Sequence, residues 1–209
     1  MDETGHGQAR FQGQEALSSA TAGMTRYLVL LRGINVGGRN KVSMAALREL
    51  LESHSYTEVS TYIASGNVIL SSDKSAAVIK RQLEEALPKT FRLDSELIAV
   101  LVLTRAQVRA VLQNRPKGFG DRPDTYHSDA VFLMGIDAAT VMRVFDPRPG
   151  VDEVWPGEGV IYSQRLTAQR TKSRLGKIVG TPAYKSMTIR SWATTMALLE
   201  RMEAPEDDG

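Results

Sequence analysis

Apolar and polar residues alternate along the first half of the chain in patterns that separate strands from helices. Helices are predicted at 43–51 and 75–87, where apolar residues recur at a spacing near 3.6 and a serine provides each cap. Short apolar or alternating runs predict the four strands: 27–31, 58–63, 67–71 and 96–103. The resulting order, β-α-β-β-α-β, is that of the split βαβ or ferredoxin-like arrangement, with the fourth strand expected to be central.

The second half of the chain repeats part of this pattern. Residues 131–137 line up with 29–35, and residues 159–163 line up with 67–71. The repeat predicts an α+β fold of two ferredoxin-like (split βαβ) subdomains with antiparallel sheets. Chance similarity between apolar strands is the alternative explanation. Further helices are predicted at 104–112, 138–145, 171–179 and 190–202.

Composition divides the chain into five segments. The first is rich in Gly, Ser, Ala and Gln and is predicted to be a disordered extension, whereas the last is acidic. A stretch dense in glycine, proline and charge separates the two halves and is the best candidate for a hinge or lid. The segments are a disordered extension (1–23), a first subdomain (24–114), a linker loop (115–126), a second subdomain (127–202) and an acidic tail (203–209).

Bulk composition excludes several classes of protein. The 209 residues contain no cysteine, which rules out disulfides, thiolate nucleophiles and Cys-based metal sites. No apolar run approaches the length of a membrane span, and the N-terminus has no signal-peptide core. A cytoplasmic location without membrane association is therefore expected, with a monomer favoured. The formal net charge of +2 argues for no particular partner.

The loop after the first strand, residues 32–41, concentrates the unusual residues of the chain. Glycine-rich backbone before a helix N-terminus can gather N–H groups around an anion. The spacing matches neither the Walker A loop nor the dinucleotide fingerprint. The alternative is a tight loop that needs glycine for its backbone, with solvated cations. The predicted ligand contacts of this loop are Arg32, Asn35, Gly37, Gly38 and Asn40.

A second polar feature is the predicted hairpin turn at 62–67. Ser65 and Asn67 are candidate ligand contacts there. On the residues alone, a turn in which these side chains bond to nearby backbone is the stronger interpretation.

The third feature is a charge imbalance between residues 159 and 190. This stretch holds seven cations and no Asp or Glu. Such an excess can bind a ligand phosphate or a nucleic acid, and these two partners are equally favoured. A solvated basic face is the alternative, and the few aromatic residues give base stacking little support.

A catalytic constellation is missing from the sequence. Of the three histidines, only His127 lies near a carboxylate that suggests chemistry, Asp129. A set with Ser65 can be imagined, but no nucleophile-elbow spacing supports it. No spacing indicates a metal site, and no cofactor is expected.

Five motifs of the chain are characteristic in combination: 31–41, 61–68, 173–175, 180–182 and 187–194. Together they resemble the family known as domain of unknown function 1697 (DUF1697). The resemblance extends over residues 24–202 and implies an α+β fold of two ferredoxin-like subdomains, but no activity. Where the family has Asn between the Arg and Trp of its last motif, this chain has Ser191.

These observations lead to three hypotheses about function. The first is a binding module for a phosphate-bearing ligand, namely a nucleotide, a sugar phosphate or RNA. Its cleft would lie between the first glycine-rich loop and the C-terminal motif, where Arg190 is expected near a helix N-terminus beside Arg32. The second is a small-molecule enzyme that stabilises a developing anion with Arg and Asn side chains. The third is a non-catalytic scaffold in which the motifs lock loops in place.

Overall fold

A computed structural model describes residues 23–95 and 98–204 of the chain. The predicted disordered extension, apart from Gly23, and residues 205–209 of the acidic tail lie outside this part. Among the described helices, none combines the length and apolar character that crossing a bilayer requires.

The first half contains the strands Thr25–Leu31 (β1), Thr57–Tyr62 (β2), Asn67–Ser72 (β3) and Val100–Thr104 (β4). They form an antiparallel sheet in the order β2-β3-β1-β4. The helices of this half are Met44–Ser53 (α1), Ala76–Thr90 (α2) and Arg105–Gln113 (α3). Serine caps begin the first two helices, and a capping box of Thr104 and Gln107 begins the third.

The second half contains the strands Tyr126–Leu133 (β5), Asp152–Gly157 (β6), Val160–Leu166 (β7) and Met187–Ser191 (β8). They form another four-stranded antiparallel sheet, in the order β6-β7-β5-β8. Its helices are Ala138–Met142 (α4) and Trp192–Glu203 (α5). The predicted α+β class with antiparallel sheets is therefore confirmed.

Strand β1 explains why the two halves pack together. Tyr27, Val29 and Leu31 enter a core shared with α1 and α2. The alternate residues Leu28 and Leu30 enter a second core, which contains residues of α3, α5 and the second sheet. Because both faces of β1 are buried, its sequence is a continuous apolar run instead of an alternating one.

Three predicted elements differ from the structure. Strand β4 lies at the edge of its sheet and not at the centre; it is apolar because Val100 and Val102 face one core and Leu101 and Leu103 the other. The predicted helix 171–179 is replaced by short 3-10 segments. The predicted helix 190–202 begins two residues later, because the chain first forms β8.

The loop between the two halves is attached to the core at its midpoint. Phe119 is fully buried, and its ring centre lies 5.0 to 6.0 Å from those of Trp155, Tyr162 and Trp192. This packing anchors the middle of the loop to the core, and the expected hinge or lid stays a prediction.

Candidate functional site

Arg32 follows β1 directly and reaches from the first sheet to the segment that precedes β8. Its Nε donates to the carbonyl of Met187 at 3.0 Å, and its Nη2 donates to the carbonyl of Tyr184 at 3.2 Å. The guanidinium carbon lies 5.0 Å from the centre of the Tyr184 ring, within cation–π range. These contacts fix the guanidinium, while Nη1 donates to none of the described residues.

A cleft of about 650 Å³ opens beside Arg32. Its walls are Arg32, Ala99 and residues of the segment 179–185, including Thr181 and the exposed Lys185. Within the described part of the chain, neither cation pairs with a carboxylate, and no carboxylate lines the cleft. The local potential is therefore positive.

Sequence reasoning did not place the wall at 179–185 opposite Arg32. Tyr184 and Lys185 belong to the basic stretch, but nothing in their spacing pointed to the loop after β1. The one local signal for a binding site in this segment was the adjacent pair of an aromatic residue, Tyr184, and a cation, Lys185. Their proximity to Arg32 depends on long-range contacts, since the Arg32–Tyr184 hydrogen bond spans 152 positions of sequence.

Arg190 lies in β8 and is only 8% exposed. All five of its N–H donors are used by uncharged oxygen acceptors, so none is left for a ligand. Burial lowers the pKa of Arg190 to about 10, and the guanidinium therefore remains charged at neutral pH. The acceptors are Asn67 Oδ1, Thr188 Oγ1 and the carbonyls of Leu31, Ser65, Gly66 and Ile189.

Ser65 and Asn67 form the socket that receives Arg190. Asn67 is fully buried and donates from Nδ2 to the Tyr62 carbonyl at 3.0 Å and to Ser65 Oγ at 2.9 Å. Gly66 between them has a φ of +76°, and a Cβ there would lie 2.8 Å from that of Leu31. The turn therefore needs glycine, and its polar groups are directed at the protein itself.

The two asparagines of the first loop also bond internally. Asn35 and Asn40 adopt positive φ values of 54° and 46°, which asparagine tolerates better than most residues. The Asn35 amide exchanges hydrogen bonds with the backbone of Val42 and donates to the Ala64 carbonyl. The side-chain oxygen of Asn40, Oδ1, accepts from the backbone N–H groups of residues 94 and 95. Both side chains hold the loop in shape.

Gly37 and Gly38 form the exposed tip of this loop. Their φ values are 59° and 79°, and Val36 and Arg39 form a β-bridge across them. Positive φ at both central residues is what a two-residue I′-type hairpin turn requires. These glycines do not line the cleft beside Arg32.

Arg32 and Arg190 lie at the same end of the two sheets, but Arg190 bonds to the protein there and not to a shared ligand site. Arg190 Nη2 donates to the carbonyl of Leu31, the residue before Arg32. Arg190 directly precedes Ser191, the cap of α5, and so lies near a helix N-terminus, but its guanidinium donates to the first sheet. The helix N-terminus itself is capped by Ser191, whose Oγ accepts from the Thr194 N–H at 3.2 Å.

The basic stretch at 159–190 does not present all seven of its cations to a partner. Arg165 pairs with Asp129, and both Arg174 and Lys177 pair with Asp146. Arg190 is buried. The remaining cations are Arg170, Lys172 and Lys185.

The imagined set of Ser65, His127 and Asp129 is not assembled as a catalytic triad. His127 Nε2 lies 3.1 Å from Asp129 Oδ1 in β5, whereas Ser65 belongs to the turn of the first sheet and accepts from Asn67. Burial raises the pKa of Asp129, against the smaller lowering effects of His127 and Arg165. In the described residues, no group of three His, Asp or Glu side chains can hold a metal ion.

The sequence profile of a family described as a protein of unknown function (DUF1697) matches residues 24–162. This chain belongs to the DUF1697 family. The match ends before the C-terminal motif that contains Arg190, so that motif rests on the resemblance of residues 173–194 alone. No curated protein matches the chain.

A solved structure extends the comparison beyond the matched segment. The conserved bacterial protein SP0830 from Streptococcus pneumoniae is 29% identical to this DUF1697 protein and superposes with a TM-score of 0.73. The alignment covers 86% of this chain and 99% of that one. The architecture of both halves is therefore shared with SP0830.

Proposed function

We propose that this protein binds a small phosphate-bearing ligand, such as a nucleotide or a sugar phosphate, in the cleft beside Arg32. The observation that carries the proposal is an immobilised guanidinium whose Nη1 has no described protein partner, next to the exposed Lys185. Fixed arginine donors suit phosphate oxygens, because little conformational freedom is lost when they bind.

The other motif residues support the cleft without touching the ligand. Arg190, Asn67 and Ser65 hold the turn of the first sheet against β8, and Asn35 and Asn40 shape the loop that follows Arg32. The ligand contacts are accordingly Arg32, Lys185 and Thr181. Of the eight predicted contacts, only Arg32 belongs to this set, and Lys185 and Thr181 are additions to it.

A small ligand is favoured over RNA because of the charge distribution. A nucleic-acid footprint needs several accessible cations along one face. Pairing and burial remove four of the seven cations at 159–190 from that task.

A binding role is favoured over catalysis for a similar reason. The carboxyl groups whose pKa values are shifted, Asp129, Asp137 and Asp146, do not line the cleft. Arg32 and Lys185 supply positive charge there, but the described walls include no carboxylate or histidine to act as a general base.

For the architecture, we propose that each half is a ferredoxin-like subdomain, at 24–114 and 127–202, joined by the linker 115–126. Two observations support this: each sheet has the same antiparallel strand order, and each places its first strand between the third and fourth.

Thermal-shift and calorimetric titrations with nucleotides, sugar phosphates and short RNAs test the function. Lys185→Ala is the main variant, because Lys185 is exposed and its removal should leave the fold intact. Arg39→Ala is the matched control, since Arg39 is an exposed cation outside the cleft. We expect a small phosphate compound to bind wild type and Arg39→Ala equally, and Lys185→Ala and Arg32→Ala more weakly. Equal binding by all four proteins, or binding of RNA alone, would contradict the proposal.

A further inference from the structure

A second cavity, of about 300 Å³, lies between the two halves and shares no lining residue with the cleft beside Arg32. Helix α3 and Leu103 of β4 form one side of it, and the second sheet forms the other through Phe132 and Tyr162. Its volume is at the lower end of the range found for small-molecule sites.

Small residues create this cavity. Ala106 and Ala110 are four positions apart and therefore occupy the same face of α3, where larger side chains would fill the space. Gly159, in the turn before β7, faces the cavity from the other side. Because Ala106 and Gly159 are exposed, the space is open to solvent, and the small residues on its two sides leave room for a ligand.

The floor of the cavity is apolar. Phe132 and Tyr162 are both about 99% buried, and the Tyr162 hydroxyl donates to the Val111 carbonyl at 2.7 Å. That hydrogen bond occupies the polar end of Tyr162. An apolar ligand body fits this environment.

The rim carries a single charge. Glu158 is the one ionisable carboxylate among the described lining residues, and it forms no ion pair with a described residue. Its side chain is exposed to solvent at the mouth of the cavity. We propose that this cavity binds a compact apolar molecule that carries a protonated amine, with its hydrocarbon part against Leu103, Ala106 and Ala110 and its ammonium group at Glu158.

The test uses 2-phenylethylamine, with 2-phenylethanol and phenylacetate as neutral and anionic analogues of similar size. Calorimetric titration of the full chain should show saturable binding of the amine. The alcohol should bind about threefold more weakly, as expected for loss of a solvent-exposed ion pair, and the acid should bind more weakly still.

Two variants locate the site. Ala110→Leu should abolish binding of the amine by filling the cavity, whereas Ala45→Leu, the same change on an exposed position of α1, should not. Glu158→Gln lies on the surface and should fold normally; with it, the amine and the alcohol should bind equally. The proposal is overturned if no probe binds, if amine and alcohol bind wild type equally, or if Ala110→Leu binds as wild type does.

Discussion

Arg32 and Arg190 cross between the two sheets in opposite directions. Arg32, which follows β1, donates to carbonyls at Tyr184 and Met187 in the second half. Arg190, in β8, donates to carbonyls at Leu31 and Ser65 in the first half. Each half therefore supplies the cation that satisfies buried acceptors of the other, which couples the two halves mechanically.

Removing the Arg190 guanidinium should destabilise the protein strongly. Arg190→Ala removes the Arg190 donors from Asn67 Oδ1 and from the carbonyls of Leu31 and Ser65, so we expect a loss of about 3–5 kcal/mol in the free energy of unfolding. Arg190→Lys should recover only part of this, because an ammonium group cannot reproduce the planar fork. Urea unfolding measures both changes. Arg39→Ala, an exposed arginine, should change stability by less than about 0.5 kcal/mol.

Two glycines of the loop at 114–125 form a matched pair for testing packing. Gly118 and Gly120 both have positive φ, at 84° and 76°, but a Cβ on Gly120 would lie 2.5 Å from the Trp192 ring, whereas one on Gly118 meets nothing within 4 Å. Gly118→Ala should cost about 1–2 kcal/mol from the backbone alone. Gly120→Ala should cost a further 1–3 kcal/mol, roughly, from the clash, and shift the Trp192 fluorescence. Equal losses in urea unfolding would show that the loop adjusts freely.

The hairpin tip at Gly37 should accept asparagine but not valine. Asn-Gly is a favoured pair for an I′-type turn, so Gly37→Asn should change stability by less than about 0.5 kcal/mol. Gly37→Val should cost about 1–2 kcal/mol, because a β-branched residue resists positive φ. Phosphate binding by Gly37→Asn should match wild type. A loss of binding without a loss of stability would instead assign this tip to the ligand site.

Asp129 should give the protein a distinctive stability profile in mild acid. Burial raises its pKa in the folded state above the ordinary value of 3.8, although His127 and Arg165 oppose the shift. The folded state therefore holds this proton more tightly, so the contribution to stability is complete below the unfolded pKa and is lost as pH rises through the folded pKa.

Urea unfolding between about pH 3 and pH 6 tests this linkage. Over that interval, wild type should lose stability relative to Asp129→Asn, which cannot titrate. Asp137→Asn is a useful comparison, because hydrogen bonds from Thr140 lower the pKa of exposed Asp137. Relative to Asp137→Asn, the stability of wild type should therefore rise with pH instead of falling. Parallel curves for wild type and Asp129→Asn would refute the assignment.

The sequence predicted the first half best, because its signals are local. Ser43, Ser75 and Thr104 each begin a helix where the pattern placed one, since a cap acts within three residues of itself. Strand β8 was missed because it has only five residues and lies between 3-10 turns and a helix. An alternation of apolar and polar residues over so short a stretch does not distinguish a strand from its neighbours. Strand β4 was expected at the centre because burial on both faces resembles a central position, whereas here the second core covers it.

Local patterns were enough to predict the α+β class, most of the first sheet and the residues that make this family recognisable. The roles of those residues follow only from how the two halves pack. Whether Arg190 faces a ligand or the protein depends on acceptors more than 120 positions away, such as Asn67, and no local pattern encodes that distance. The same long-range pairing brings Lys185 beside Arg32, because a cleft between two halves exists only once both have folded and packed.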